Sequence, residues 1–166
     1  MVVMGVVIIG YLLVSGLWQN IRIGTGRPVG PAVDVSATAS ARAPQASFPL
    51  LIPRGLPAGW RGTAATLRGS GLWHVGLVSP SGGFAALDQT AGPGTLILRD
   101  ALPGRRASGP VSLASGRWEQ FRAATTAEGL TRSGLVQQRG PTTVVVSGTA
   151  DPLELRTLAG SLQPVT

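Results

Sequence analysis

Leu72-Trp73-His74-Val75-Gly76-Leu77-Val78-Ser79-Pro80-Ser81-Gly82-Gly83-Phe84-Ala85-Ala86-Leu87-Asp88-Gln89 decides the fold. Two largely apolar runs, Leu72 to Ser79 and Gly83 to Gln89, flank the turn residues Pro80-Ser81-Gly82. Runs of this length bounded by turn chemistry read as strands, and a short glycine-containing connection makes them antiparallel. Successive side chains in a strand point to opposite faces. Trp73, Val75 and Leu77 therefore share one face, and Leu72, His74, Gly76 and Val78 share the other. Both faces are fairly apolar, which predicts a central position in the sheet.

Upstream, Trp60 to Leu67 reads as a further strand, joined to the first run through Gly69-Ser70-Gly71. Downstream, Thr95 to Leu102 is too short for its period to decide between strand and helix, and its composition leans toward helix. Strands are predicted at Val111 to Leu113, Arg117 to Ala123, Thr131 to Gln138 and Thr142 to Ser147, the last carrying the β-branched run Thr143-Val144-Val145-Val146. Asp151-Pro152-Leu153-Glu154 then signals a helix start: Asp151 caps, Pro152 suits the first turn and Glu154 completes a capping box. Leu155, Leu158, Ala159 and Leu162 give that helix one apolar face, which should pack on the sheet. The fold class expected is α+β: an N-terminal transmembrane helix, a linker, and one domain with a mainly antiparallel sheet packed by a C-terminal helix.

The boundaries follow from composition. Met1 to Trp18 contains no charged side chain, and roughly 17 to 25 such residues are what a helix needs to cross a hydrocarbon core. Val2, Val3, Ile8, Ile9, Leu12, Leu13 and Trp18 surround the helix on all sides, so residues 1–21 are read as a membrane anchor rather than a half-buried core helix. A cleaved signal fits poorly, because no basic residue precedes Val2 and the small-x-small sites near Ala37 to Ala41 lie far downstream. With no cysteine in the chain, lipidation cannot substitute for the span. Arg22 and Arg27 follow it, which by the positive-inside rule would retain the C-terminal region in the cytoplasm. The opposite orientation is expected, on the view that translation begins upstream of Met1 and that a basic leading segment is missing. Residues 22–47, rich in Gly, Pro, Ala, Ser and Thr, read as a linker, partly helical between Val33 and Ala43, that spaces the domain from the bilayer. Phe48 to Ile52, closed by Pro53, opens the folded domain, residues 48–166.

Charge and missing residue types exclude several functions. All fourteen basic residues are arginine, so chemistry that needs a lysine, including the P-loop, Schiff bases and serine-lysine catalysis, is ruled out. The arginines are scattered, with only Arg105 and Arg106 adjacent, which argues against a nucleic-acid interface. A net charge of +7 would still draw the domain toward anionic headgroups or acidic wall polymers. Zero cysteines exclude disulfides and thiol nucleophiles, and a single histidine excludes metal sites built on two imidazoles. No cofactor is expected.

The residues that remain offer three candidate sites. Trp60, Trp73 and Trp118 can line a groove for a sugar, lipid tail or peptide, although core packing suits each ring better. His74 is the sole imidazole base, but no nucleophile elbow accompanies it. Asp88 and Glu119 can form an acid pair only if the fold brings them within roughly 5 to 9.5 Å.

Three segments carry a family resemblance: Gly55-Leu56-Pro57-Ala58-Gly59-Trp60-Arg61, Trp73 through Gln89, and Val146-Ser147-Gly148-Thr149-Ala150. They resemble an uncharacterised actinobacterial family of single-span membrane proteins, domain of unknown function 4245, and the similarity extends through the span, Val33-Asp34-Val35 and the terminal helix. The resemblance implies one N-terminal span and an extracytoplasmic domain; it supplies no active site. Similar proteins usually carry a short arginine-containing segment before the span, from which this chain departs. The function expected is a membrane-anchored envelope protein whose domain is a non-catalytic interaction module. Its partners would be the lipid bilayer and an envelope protein or anionic wall polymer. A binder of a small hydrophobic or carbohydrate ligand, or a carboxylate- and histidine-dependent hydrolase, stands as the alternative.

Overall fold

The computed structural model describes residues 31–165 apart from 70, 124, 126–128 and 130. Seven antiparallel strands form the main sheet: β2 (Arg61–Arg68), β3 (Leu72–Val78), β4 (Phe84–Ala91), β5 (Arg106–Leu113), β6 (Gly116–Arg122), β7 (Ser133–Arg139) and β8 (Thr142–Gly148). Their order, β2-β3-β4-β8-β7-β6-β5, joins two meanders through the β4–β8 pair. A third pairing, β1 (Leu51–Pro53) with β9 (Leu162–Pro164), brings a segment near each end of the described chain together. Helices are α1 (Val35–Arg42), α2 (Thr95–Ala101) and α3 (Pro152–Gly160), with a 3-10 turn at Ala43–Gln45. The α+β reading and the antiparallel meander thus stand.

Within that frame the middle of the sheet is β8, whose seven residues are all buried. β3 is paired on both sides but lies one strand from the β2 edge. Trp73, Val75 and Leu77 pack in the main core and Trp73 Nε1 reaches Leu51 O of β1, so β3 is buried on that face without being central. β5 is longer than the run Val111 to Leu113 suggested. Its first five residues, Arg106 to Pro110, are exposed except for the half-buried Gly109 and contain an irregularity between Ala107 and Gly109. An edge strand tolerates such residues because one side of its backbone is unpaired.

The core lies on one face of the sheet. Trp73, Val75 and Leu77 of β3, Leu87 of β4, Val144 and Val146 of β8, Leu135 of β7 and Trp118 of β6 pack against Leu155, Leu158 and Ala159 of α3 and against Leu50, Leu51 and Ile52. The expected capping box forms: Asp151 accepts from Leu153 N–H at 2.8 Å and Glu154 accepts from Asp151 N–H at 3.3 Å. On the opposite face Leu102 and Val145 make a smaller cluster with Ile97 and Leu98 of α2.

The expected linker boundary moves. Asp34 caps α1 through Ala37 N–H, Ala39 is fully buried in the main core, and Val33 N–H donates to Gly62 O at 3.0 Å. α1 therefore belongs to the packed body, which begins before Phe48, rather than to a spacer. Its alanines looked linker-like because a helix packed so closely needs only small side chains. Val2 to Trp18, and with them the expected span, lie outside the described residues. Among the described residues no helix is long and apolar enough to cross a membrane.

Candidate functional site

The tryptophans expected near a groove serve the core. Trp73 is fully buried and Trp118 is 1 % exposed. Each indole N–H is satisfied internally, Trp73 by Leu51 O at 2.9 Å and Trp118 by Ser115 Oγ at 2.9 Å. Ser115 in turn donates to Ala159 O at 2.7 Å, tying the β5–β6 turn to the end of α3. Trp60 is half-buried against the same core. With their rings and N–H groups already engaged, Trp73 and Trp118 offer no surface to a ligand.

The register separates Asp88 from Glu119. Asp88 faces Val145, Val145 faces Val136 and Val136 faces Glu119, so three strand steps intervene. At about 4.8 Å per step this is roughly 14 Å, beyond the reach of paired-carboxylate hydrolysis. Asp88 instead lies directly across from His74 and receives its Nδ1 at 2.7 Å. Both side chains are only about 15 % and 13 % exposed. The pair has the orientation of a base held by a carboxylate, and Thr66 is the cross-strand neighbour on the far side of His74. No hydrogen bond joins Thr66 to His74 among the described residues, and the two clefts described below are lined by neither His74 nor Asp88. Among the described residues no group of three or more potential ligands could hold a metal ion.

A basic cleft lies at the open end of the β5–β6 edge. It measures about 540 Å³ and is lined by Gly104, Arg106, Ser108, Arg122, Ala123 and Thr125. Arg106 and Arg122 are directly opposed across the two strands, and both are exposed. Like charges in opposed positions repel and disfavour the pairing. Neither has a carboxylate or hydrogen-bond partner among the described residues. Arg105 stands beside them, its guanidinium 5.9 Å from the centre of the Phe121 ring. Two residues back from Arg122 on the same face, Gln120 accepts from Arg156 Nη2 at 2.8 Å, while Arg156 Nε is buried without a partner among the described residues. Ser108 and Gly109 form the irregular part of β5, and Gly109 adopts a φ of 100° there, re-aiming the side chains around the cleft.

Adjacent Arg105-Arg106 was the sole sequence trace of this cluster. The partner, Arg122, becomes visible only through strand register. A second, smaller cleft of about 370 Å³ lies between the 3-10 turn and the β2–β3 turn, lined among others by Phe48, Leu67 and Arg68.

Two buried or shielded groups elsewhere are structural. Arg139 donates from Nη2 to Ser115 O at 2.7 Å and from Nε to Gln137 Oε1, and burial lowers its pKa from the ordinary value. Burial pushes the Glu154 carboxyl up, but hydrogen bonds from Ser81, Ser79 and the backbone of Ser81 and Asp151 outweigh this and hold it below the usual range. Glu154 thereby fastens the β3–β4 turn to α3, with Ser81 Oγ at 2.6 Å and Ser81 N–H at 3.0 Å.

No curated protein matches the chain. The model of the family described as protein of unknown function (DUF4245) matches residues 1–162, and the chain belongs to that family.

Proposed function

We propose that this protein is a membrane-anchored component of the cell envelope whose extracytoplasmic domain is a non-catalytic binding module for an anionic partner. The observation that carries the reading is the concentration of unmatched positive charge at one end of the sheet. Arg106 and Arg122 are opposed, and among the described residues no carboxylate lines the cleft they share. Proteins rarely leave two cations facing each other without a counter-charge, because the repulsion costs stability that a bound anion returns. The absence of lysine and cysteine supports the non-catalytic part of the reading by removing their mechanisms. The uncharged run from Met1 to Trp18 supports the anchor.

Two measurements test the proposal. Fusions of alkaline phosphatase and of green fluorescent protein to the C-terminus of the natural gene should give phosphatase activity and no fluorescence; the reverse pattern would sink the extracytoplasmic placement. Affinity capture from membranes should recover an anionic polymer or protein at low salt and lose it at high salt, since exposed charge is screened within about 10 Å at 0.1 M. Recovery of no anionic partner at either salt would refute the binding role.

A further inference from the structure

We infer that the Arg106–Arg122 cleft is a binding site for a phosphate ester, with the two guanidinium groups holding the phosphoryl oxygens and the rest of the cleft receiving the esterified group. The inference rests on the binding-module reading above and names its ligand chemistry. Three observations lead to phosphate rather than to an arbitrary anion.

The register sets the geometry. Directly opposed residues on antiparallel strands have Cβ atoms about 4.5 to 5.5 Å apart. Arg106 and Arg122 thus project side by side from the same sheet face and can close on one ion from two directions. A single guanidinium already saturates the two oxygens of a carboxylate in a bidentate fork. Two forks converging on one centre match a group with three or more oxygens in a tetrahedral array.

The lining is the second observation. Ser108 and Thr125 add hydroxyl donors, and among the described residues no carboxylate lines the cleft to compete for the arginines. From Ala101 to Ala150 the sequence itself carries six arginines against two glutamates, and one of those, Glu119, occupies the sheet face opposite to Arg122. The local surplus is therefore positive even before a ligand is considered.

Size is the third. About 540 Å³ falls within the roughly 300 to 1,000 Å³ typical of small-molecule sites and exceeds what bare phosphate needs. Among the described lining residues Ala123 and Gly104 add no bulky or charged side chain, which suits a glycerol-like or sugar-like substituent.

The source of the phosphate, a soluble ester or a lipid headgroup, is separated by the arms of one experiment. The purified full chain is titrated with inorganic phosphate, with glycerol 3-phosphate, and with phosphatidylcholine vesicles with and without phosphatidylglycerol, all at matched ionic strength in chloride. Binding is read from the thermal midpoint for the soluble ions and from co-sedimentation for vesicles. The wild-type chain should bind glycerol 3-phosphate or phosphatidylglycerol vesicles in preference to chloride and to phosphatidylcholine. Arg106→Gln and Arg122→Gln should each weaken that binding about tenfold or more, as expected for loss of charge-assisted hydrogen bonds. Their midpoints without ligand should be unchanged or higher, because the substitution relieves like-charge opposition. Arg54→Gln and Arg117→Gln remove the same net charge elsewhere and should leave binding intact. Equal loss in these controls would assign the effect to overall charge and overturn the site, as would wild-type binding to phosphate probes no better than to chloride. If phosphate ligands bind at Arg106 and Arg122 while membrane capture recovers no partner, the site survives and the envelope role fails.

Discussion

Gln89 offers the sharpest test of how this domain is held together. It lies on the core face of β4 directly opposite Trp73 and is 2 % exposed. Its Oε1 accepts from Leu51 N–H at 3.0 Å and its Nε2 donates to Pro49 O at 2.9 Å, while Trp73 Nε1 donates to Leu51 O. Two neighbouring side chains thus satisfy the inner edge of β1, whose outer edge pairs with β9. Gln89→Leu keeps the volume but orphans two buried backbone groups, at about 1 to 3 kcal/mol each. The leucine's own burial returns about 1.5 to 3 kcal/mol, so the central values leave a net loss of about 2 kcal/mol. At about 4 °C per kcal/mol for a domain of this size, the thermal midpoint should fall by about 8 °C. Urea unfolding followed by tryptophan fluorescence should show a lower midpoint at unchanged slope. Hydrogen exchange should show the Leu51 amide losing protection ahead of the β8 amides. Unchanged stability within about 0.5 kcal/mol, or a Leu51 amide still protected like β8, would refute the role assigned to Gln89.

Ser115→Ala should cost about 1 to 3 kcal/mol in urea unfolding, because Trp118 Nε1 and Ala159 O lose their shared partner; a neutral result would mean that the turn is not anchored to α3 in this way. Gly148→Ala should abolish or severely destabilise the fold, more than about 4 kcal/mol, since a Cβ there would meet Phe84 O at 2.0 Å and Ala85 Cα at 2.9 Å, both backbone. A well-folded Gly148→Ala protein would show that β4 and β8 can separate without loss. Glu154 has a folded-state pKa below its unfolded value. Its contribution is therefore complete above about pH 4.5 and is lost as pH falls through the lower folded value. Glu154→Gln should flatten acid unfolding in that window, and an identical acid profile in the variant would contradict the assignment.

The elements that could be read from sequence are those whose signals are local. The Asp151 to Glu154 cap, the valine run of β8 and the Pro80-Ser81-Gly82 turn each act over a few neighbouring residues, and each forms as read. The β1–β9 pair was not legible, since three-residue strands ending in proline carry no alternation and their partners lie at opposite ends of the domain. Gln89 read as an ordinary strand residue because the backbone it serves is distant in sequence. The site was hidden in the same way. Trp73 and Trp118 stood out by residue type yet belong to the core, whereas Arg106 and Arg122 gain meaning only through the β5–β6 register and its irregularity.

The pairing of β1 with β9 has a mechanical consequence. Leu51 opposes Pro164 and Pro53 opposes Leu162, so the chain enters one strand beside the point where it leaves the other. Tension applied into Leu51 and out through Pro164 would load the hydrogen bonds of this seam one after another, as a zipper, rather than all together in shear. The seam would open at modest force, freeing Leu51 from Trp73 and Gln89 while the seven-stranded sheet kept its own pairing. Force applied at those two points would then lengthen the protein at this seam before its sheet, and with it the arginine cleft, was disturbed.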